Sequence, residues 1–247
     1  MWRSARQLRG YTVAGSDGPI GKLDDVYFEE AGWKVRYLVV KTGGWLLERL
    51  VLLAPDCAGP PDPGRRTLPV ALSRQQVRDS PPVEAVLPVS RRSEIELAAY
   101  YGWPDYWIGD AAYAAGAVYV PTPGQEPAAT GVTPPAEQTA LRSARELAGY
   151  HLQAADGEIG HIEDFLIEDA GWVVRYLSVD TRNWLPGRRV LVAAEWIRRI
   201  DEAGLKVLTD LPRERIRSAP AYDPAAPLTR QQEARLYEHY GRRKYWE

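Results

Sequence analysis

The sequence predicts a mainly β protein built from two small antiparallel β-barrels, each with a short C-terminal helical extension. A stretch that begins at Asp17-Gly18 returns at Asp156-Gly157, with each matching residue 139 positions further on. Each copy contains two β-branched and aromatic runs that are separated by a short turn. Both faces of the resulting hairpin are largely apolar, which a sheet with one solvated face would not require but a small, strongly curved barrel would.

A single helical turn and a short strand are predicted at the start of each copy. Ser4 and Ser143 carry the hydroxyl that caps a helix N-terminus, and Gly10 and Gly149 allow the left-handed conformation that ends the helix. A strand at residues 11–14 then leads into a glycine turn. The same order of elements in both copies indicates that they share one fold.

A long hairpin at residues 20–40 is the central element of the first copy, with Ala31-Gly32 as its predicted two-residue loop. Such a loop fixes which residues face each other across the two strands. One face then carries Leu23, Asp25, Tyr27, Arg36, Leu38 and Val40, and the other carries Asp24, Val26, Phe28, Val35, Tyr37 and Val39.

This register predicts a structural ion pair within each hairpin. Asp25 lies diagonal to Arg36 on one face, and Asp164 stands in the same relation to Arg175 in the second copy. Charges in sheets are usually paired or solvated, so a carboxylate and a guanidinium at this spacing are expected to bond.

The adjacent carboxylates Asp24-Asp25, which recur as Glu163-Asp164, are the strongest catalytic candidates. Neighbouring strand residues point to opposite faces, so the two carboxyl groups cannot act on one substrate as acid and base. We therefore predict no catalytic residue and no enzymatic activity.

The remaining elements complete each copy. Further strands are predicted at residues 51–54, 67–70, 190–193 and 205–208. Helical segments start at Ser73 and Pro212. Amphipathic helices at residues 90–101 and 229–240 each end at a glycine, and an aromatic tail follows.

The aromatic tails are the predicted interaction residues: Tyr101, Trp103, Tyr106 and Trp107 in the first copy, and Tyr240, Tyr245 and Trp246 in the second. Rigid aromatic side chains with polar tips are typical interface anchors. A tail that folds back over an open barrel end would instead be a lid, which a domain of this size would favour. The tail of one copy could also cover the barrel of the other.

The chain is expected to divide into residues 1–107, a Pro- and Ala-rich linker at 108–139, and residues 140–247. The linker contains no Lys or Arg. Its composition is typical of a spacer, but residues 113–120 are apolar enough to dock on a barrel, so both arrangements remain open.

Composition excludes several classes of protein. The formal net charge of −2 is not that of a dedicated DNA or RNA binder. A lone Cys57 excludes an internal disulfide, and three scattered histidines, His151, His161 and His239, lack the companions that a metal site needs. No signal peptide or membrane span is predicted, so we expect a cytoplasmic protein with no cofactor, no metal and no membrane insertion.

An ordered set of motifs consists of Gly18-x-Ile20-Gly21-x-Leu23-x-Asp25, the run at residues 35–40 and Val77-Arg78-Asp79-Ser80-Pro81. On these motifs each copy resembles the PRC-barrel domain, over about residues 3–82 and 142–221. This domain occurs in the photosynthetic reaction-centre H subunit and in the ribosome maturation factor RimM. The resemblance implies assembly on other macromolecules rather than catalysis, and the tails are similar to an extension of stand-alone bacterial members.

The predicted function is therefore a non-enzymatic protein-binding or assembly module whose partner is another protein of unknown identity. The duplication indicates that the two barrels pair internally about a pseudo-twofold axis, and a homodimer is also possible. The alternatives are a cytoplasmic accessory of a membrane photosynthetic or electron-transport complex, and an RNA- or ribosome-associated adaptor. An enzyme would have its ligand site between the barrels.

Overall fold

The computed structural model describes residues 1–82, 87–107, 141–181 and 188–247. The predicted linker at 108–139, including its apolar segment at 113–120, lies outside the described residues. The first repeat contains β1 (Trp2–Ser4), α1 (Ala5–Leu8), β2 (Thr12–Gly15), β3 (Gly18–Glu29), β4 (Val35–Thr42), β5 (Leu50–Leu53), β6 (Thr67–Pro69), α2 (Arg74–Asp79) and α3 (Arg91–Tyr101). The second contains β7 (Leu141–Ser143), α4 (Ala144–Leu147), β8 (His151–Ala154), β9 (Gly157–Glu168), β10 (Val173–Asp180), β11 (Arg189–Ala193), β12 (Ile197–Asp201), β13 (Lys206–Thr209), α5 (Arg213–Arg217) and α6 (Arg230–Tyr240).

Two mixed sheets form the architecture, which confirms a mainly β fold with short helices. Their strand orders are β5-β4-β3-β2-β6 and β11-β10-β9-β8-β13-β12. The prediction of closed antiparallel barrels is wrong in two respects. Neither strand order closes on itself within the described residues, and each sheet contains one parallel pair, β2 with β6 and β8 with β13.

The two apolar faces of the β3–β4 hairpin have different coverings. One face joins the main core, which includes Val26, Phe28 and Leu38. The opposite face carries Tyr27 and Tyr37, which cluster with residues from α3 and β5 in a smaller core. The helical extension therefore covers the second face. A closed barrel is not needed to explain why both faces of the hairpin are apolar.

Two β-bulges change the predicted register of this hairpin. One lies between Leu23 and Asp25, and the other lies beside Phe28 and leaves Arg36 outside the paired positions. The loop is also longer than two residues, since the Glu29 N–H donates to the Lys34 carbonyl at 3.0 Å. Because each bulge reverses the in–out alternation, the predicted facing pairs are wrong from Asp25 to Tyr27, whereas Phe28 still faces Val35 as predicted.

The first strand of each repeat belongs to the sheet of the other repeat. Strand β1 pairs with β9, where Trp2 lies opposite Glu168, and β7 pairs with β3, where Leu141 lies opposite Glu29. The two pairings are equivalent under the shift of 139 residues that relates the repeats. We call residues 2–8 and 141–147 the exchange segments, because each crosses to the opposite repeat.

The hairpin tips also pair across the two repeats. The Val35 N–H donates to the Trp172 carbonyl at 2.7 Å, and the Val174 N–H donates to the Trp33 carbonyl at 2.8 Å. Beneath the tips, the rings of Phe28 and Phe165 lie 5.6 Å apart. Buried side chains of both repeats accordingly form one contiguous hydrophobic core.

Candidate functional site

Asp25 holds the second exchange segment on the first repeat. Its side chain is buried, with 5% of the residue exposed. It accepts hydrogen bonds from the Ser143 hydroxyl and, at 3.0 Å, from the Arg145 backbone N–H. The Ser143 hydroxyl oxygen also accepts from the Glu146 N–H and so caps α4, as the sequence predicted.

Asp164 makes the equivalent contacts with the first exchange segment. It accepts from the Ser4 hydroxyl and, at 3.0 Å, from the Arg6 backbone N–H. Burial raises the pKa of both Asp25 and Asp164, while the hydrogen bonds from serine and backbone oppose that rise. These carboxylates are therefore structural acceptors that join the two repeats.

The predicted ion pair between Asp25 and Arg36 is not formed. Arg36 instead makes a two-pronged contact with Glu29, with its Nη2 at 2.8 Å and its Nε at 3.0 Å from the two carboxylate oxygens. The bulge beside Phe28 is the cause, because it leaves Arg36 outside the paired positions and removes the predicted diagonal relation to Asp25. The guanidinium also lies over the Tyr106 ring at 3.9 Å.

The predicted ion pair between Asp164 and Arg175 in the second hairpin is not formed either. Arg175 bonds to Glu168, with 2.9 Å between its Nε and the carboxylate, and not to Asp164. Its guanidinium lies 4.2 Å from the centre of the Tyr245 ring. In both repeats the arginine thus connects the hairpin to the aromatic tail.

A groove of about 240 Å³ lies between the exchange segments. We call it the inter-repeat groove. Most of its lining residues come in pairs from equivalent positions of the repeats: Ala5 with Ala144, Arg6 with Arg145, Arg9 with Ala148, Asp24 with Glu163, Asp25 with Asp164, and Val26 with Phe165. The groove therefore exists only because the two repeats exchange their first segments.

Arginines surround this groove and bind its outer carboxylates. Arg145 Nη1 lies 2.5 Å from Asp24 Oδ2, and Arg6 Nη1 lies 3.0 Å from Glu163 Oε1. A hydrogen bond from Arg189 helps to hold the pKa of Glu163 below its usual value. The two members of each adjacent pair therefore have different partners. Asp24 and Glu163 bind arginines, whereas Asp25 and Asp164 bind the exchange segments.

The first aromatic tail folds back over its own repeat. Tyr101 stacks on Trp103 at 4.3 Å, and the Trp103 ring lies 6.5 Å from Tyr37 on β4. The Tyr106 hydroxyl donates to Glu94 at 2.6 Å, and Trp107 lies beneath the Arg91 guanidinium at 4.6 Å.

The second tail makes equivalent contacts with its own repeat. Tyr240 is buried, and its hydroxyl donates to the Leu191 carbonyl at 3.1 Å. Tyr245 lies under Arg175, and the Trp246 ring packs at 5.2 Å against Tyr237. Both tails have the geometry of a lid, and their role as interaction residues stays a prediction.

Two buried glutamates beneath the tails were not identified from the sequence. Glu94 and Glu233 are 0% and 1% exposed and occupy equivalent positions in α3 and α6. Glu233 Oε1 accepts from the Tyr176 hydroxyl at 2.7 Å and from the Tyr245 hydroxyl at 3.3 Å. Their spacing is the sequence signal that indicates burial. In each helix, apolar residues three and four positions after the glutamate are buried and lie on the same face as the glutamate.

Replacing Glu233 with glutamine is expected to change how stability depends on pH. Burial raises the pKa of Glu233, although hydrogen bonding from Tyr176 and the charge of Arg230 oppose this. A raised folded-state pKa stabilises the fold fully below the unfolded pKa, and this contribution is lost as pH rises through the folded pKa. The free energy of unfolding of Glu233→Gln, relative to wild type, should therefore increase as pH rises above 4.5 in urea titrations.

The control for this titration is Glu238→Gln, on the same helix but with 67% of its side chain exposed. Because solvent screens an exposed side chain, this substitution should change the pH profile less than Glu233→Gln does. Parallel curves for Glu233→Gln and wild type would contradict a raised pKa at Glu233.

The other titratable candidates form no metal site among the residues that the structure describes. His151 Nδ1 lies 2.8 Å from Glu158 in an exposed pair, and His239 Nε2 lies 2.8 Å from the Arg215 carbonyl. His161 is opposite His151 across β8 and β9. Burial raises the pKa of the Cys57 thiol to about 12, so the thiol is a weak nucleophile at neutral pH.

The fold and the groove define a class of protein with two equivalent β repeats, a shared core and reciprocally exchanged first strands. Residues 3–58 match the family model of the PRC-barrel domain. The second repeat is related to the first by the internal duplication. No curated protein matches the chain. Across the described part of the chain, no helix has both the length and the apolar character needed to cross a membrane.

Proposed function

We propose that this protein is a non-enzymatic protein-binding or assembly module that acts through the two repeats as one unit. The observation that carries the proposal is the inter-repeat groove, which is lined by both exchange segments and by both long hairpins. The PRC-barrel match supports the same class of function, because it suggests a protein-interaction or assembly module.

The chemistry of the groove favours binding over catalysis. Asp25 and Asp164 accept hydrogen bonds from the exchange segments, and Asp24 and Glu163 bind arginines. A general base needs a carboxylate that can reach a substrate proton, and these four carboxylates already have close partners. The groove instead offers guanidinium donors around an apolar floor, which is a common composition of protein interfaces.

A photo-crosslinking residue at Ala148 tests this proposal. Ala148 lines the groove and is exposed, so a benzophenone side chain there can reach a bound protein without removing a described hydrogen bond. In cells of the native host we expect one discrete adduct. The control is the same residue at Arg92, an exposed position of α3.

The adduct should be identified by mass spectrometry, and binding should then be measured with both purified proteins. Equal adducts from the two positions, or no adduct at Ala148 under conditions where the protein is folded, would contradict a protein-binding role of the groove.

A further inference from the structure

We propose that the inter-repeat groove binds an acidic segment of the partner protein, with one apolar side chain on the groove floor and a carboxylate on either side. This inference rests on the proposed protein-binding function and gives the chemistry of the segment that is bound. The size of the groove, the exposure of its rim arginines and their remaining hydrogen-bond donors each support it.

The groove has room for one side chain rather than for a whole small molecule. Its volume of about 240 Å³ is below the roughly 300–1,000 Å³ of typical small-molecule pockets. It exceeds the roughly 150 Å³ that accommodates a benzene ring in an apolar cavity. Leu23, Val26 and Phe165 lie beneath the groove and are only 1–2% exposed. An apolar side chain of the partner would therefore contact Ala5 and Ala148, the lining alanines that keep exposed surface.

The outermost groups of the rim are guanidiniums. The side chains of Arg6, Arg9 and Arg145 are 70%, 53% and 47% exposed, whereas those of Asp24 and Glu163 are 21% and 13% exposed. An approaching chain therefore meets positive groups before negative ones. Charge complementarity selects carboxylates over basic groups at this rim.

The rim arginines also keep hydrogen-bonding capacity. A guanidinium has five N–H donors, and a carboxylate can accept two of them side by side. In the described part of the chain, Arg6 and Arg145 each donate one side-chain hydrogen bond, to Glu163 and to Asp24. Arg9 lies 3.9 Å from Asp24, beyond hydrogen-bond distance.

The outer carboxylates are each shared by two guanidiniums. Asp24 is shared by Arg9 and Arg145, and Glu163 is shared by Arg6 and Arg189. Two outer carboxylates thus serve four guanidiniums. The inner carboxylates Asp25 and Asp164 lie beneath the exchange segments and accept their serine and backbone donors.

One pair of rim positions differs in charge between the repeats and provides a matched test. Arg9 corresponds to Ala148, so the first repeat has a rim cation that the second lacks. Arg9→Ala introduces the residue that occupies the equivalent position, Ala148, in the second repeat. Ala148→Arg adds the missing cation at an exposed position.

The experiment measures fluorescence anisotropy of labelled peptides with the full chain at low ionic strength. The probes are Gly-Ser-Glu-X-Glu-Ser-Gly peptides in which X is Leu, Ile, Val, Met or Phe. The control peptides carry Gln-X-Gln or Glu-Gly-Glu at the centre. We expect at least one Glu-X-Glu peptide to bind, and the two controls to bind about tenfold more weakly, which corresponds to about 1.4 kcal/mol.

The protein variants supply the second readout. Arg9→Ala should weaken binding several-fold and Ala148→Arg should strengthen it, whereas Arg92→Ala on α3 should leave it unchanged. A purely structural effect would not produce opposite changes in these two variants. Circular dichroism of each variant confirms that the fold is intact.

Absence of binding by every Glu-X-Glu peptide would overturn the inference, as would affinity that is indifferent to both Arg9→Ala and Ala148→Arg. Equal or tighter binding of oligouridylate or citrate would assign the rim to RNA or to a small anion instead. If the crosslinked partner binds wild type and both variants equally, the protein-binding function stands and the acidic-segment inference fails.

Discussion

Replacing Phe165 with alanine is expected to destabilise both repeats at once and to lower the free energy of unfolding by about 4 kcal/mol. Phe165 is 1% exposed and lies on the floor of the inter-repeat groove. Its ring is 5.6 Å from that of Phe28, in a core to which both repeats contribute. The cavity left by alanine would therefore remove contacts on both sides of the groove.

Urea unfolding followed by tryptophan fluorescence measures the loss of stability, and amide hydrogen exchange shows where it occurs. We expect one cooperative transition and reduced protection in β3 as well as in β9. The control is Leu205→Ala, since Leu205 is 53% exposed and should change stability by less than about 0.5 kcal/mol. Two separate transitions, with only the second one shifted, would show that the repeats unfold independently.

The local elements of this fold could be predicted from the sequence because their signals are local. Ser4 and Ser143 cap short helices where predicted, and Gly102 and Gly241 end α3 and α6 in the left-handed conformation. The repeat spacing also correctly indicated that the elements from the exchange segment to the long hairpin recur in both copies, whereas β12 has no strand counterpart in the described part of the first. These features depend on a few neighbouring residues, whose preferences tertiary contacts reinforce.

The exchange of the first strands could not be predicted in the same way. Strands β1 and β7 are three residues long, and their partners are more than a hundred residues distant in the sequence. A three-residue pattern fits either repeat equally well when the repeats are similar. The choice of partner depends on Asp25 and Asp164, whose function as acceptors is visible only once the exchange segments are in place.

The bulges explain why the candidate ion pairs were predicted incorrectly. A regular hairpin would place Arg36 near Asp25, but one additional residue on one strand changes the neighbours until the second bulge restores the register at Phe28. As a result, Arg36 bonds to Glu29 and lies over the Tyr106 ring, and Asp25 accepts a hydrogen bond from Ser143. The same bulges thus create the link to the tail and the link between the repeats.

Replacing Asp25 with alanine is expected to lower the free energy of unfolding by about 3 kcal/mol. The substitution leaves the Arg145 and Val26 backbone N–H groups and the Ser143 hydroxyl without their acceptor at a buried position. Each unsatisfied buried donor costs about 1–3 kcal/mol, and water that enters the site would recover part of the total. Urea unfolding at neutral pH measures the change.

Two control substitutions separate this structural contact from charge alone. Asp24→Ala removes the neighbouring, partly exposed carboxylate that binds Arg145, and should cost less than about 1 kcal/mol. Asp25→Asn keeps one side-chain carbonyl acceptor and should cost less than Asp25→Ala. If Asp24→Ala were as destabilising as Asp25→Ala, the ion pairs at the rim would hold the repeats together. If Asp25→Ala alone is severe, the buried acceptor holds them, and the rim arginines can bind a ligand without loosening the protein.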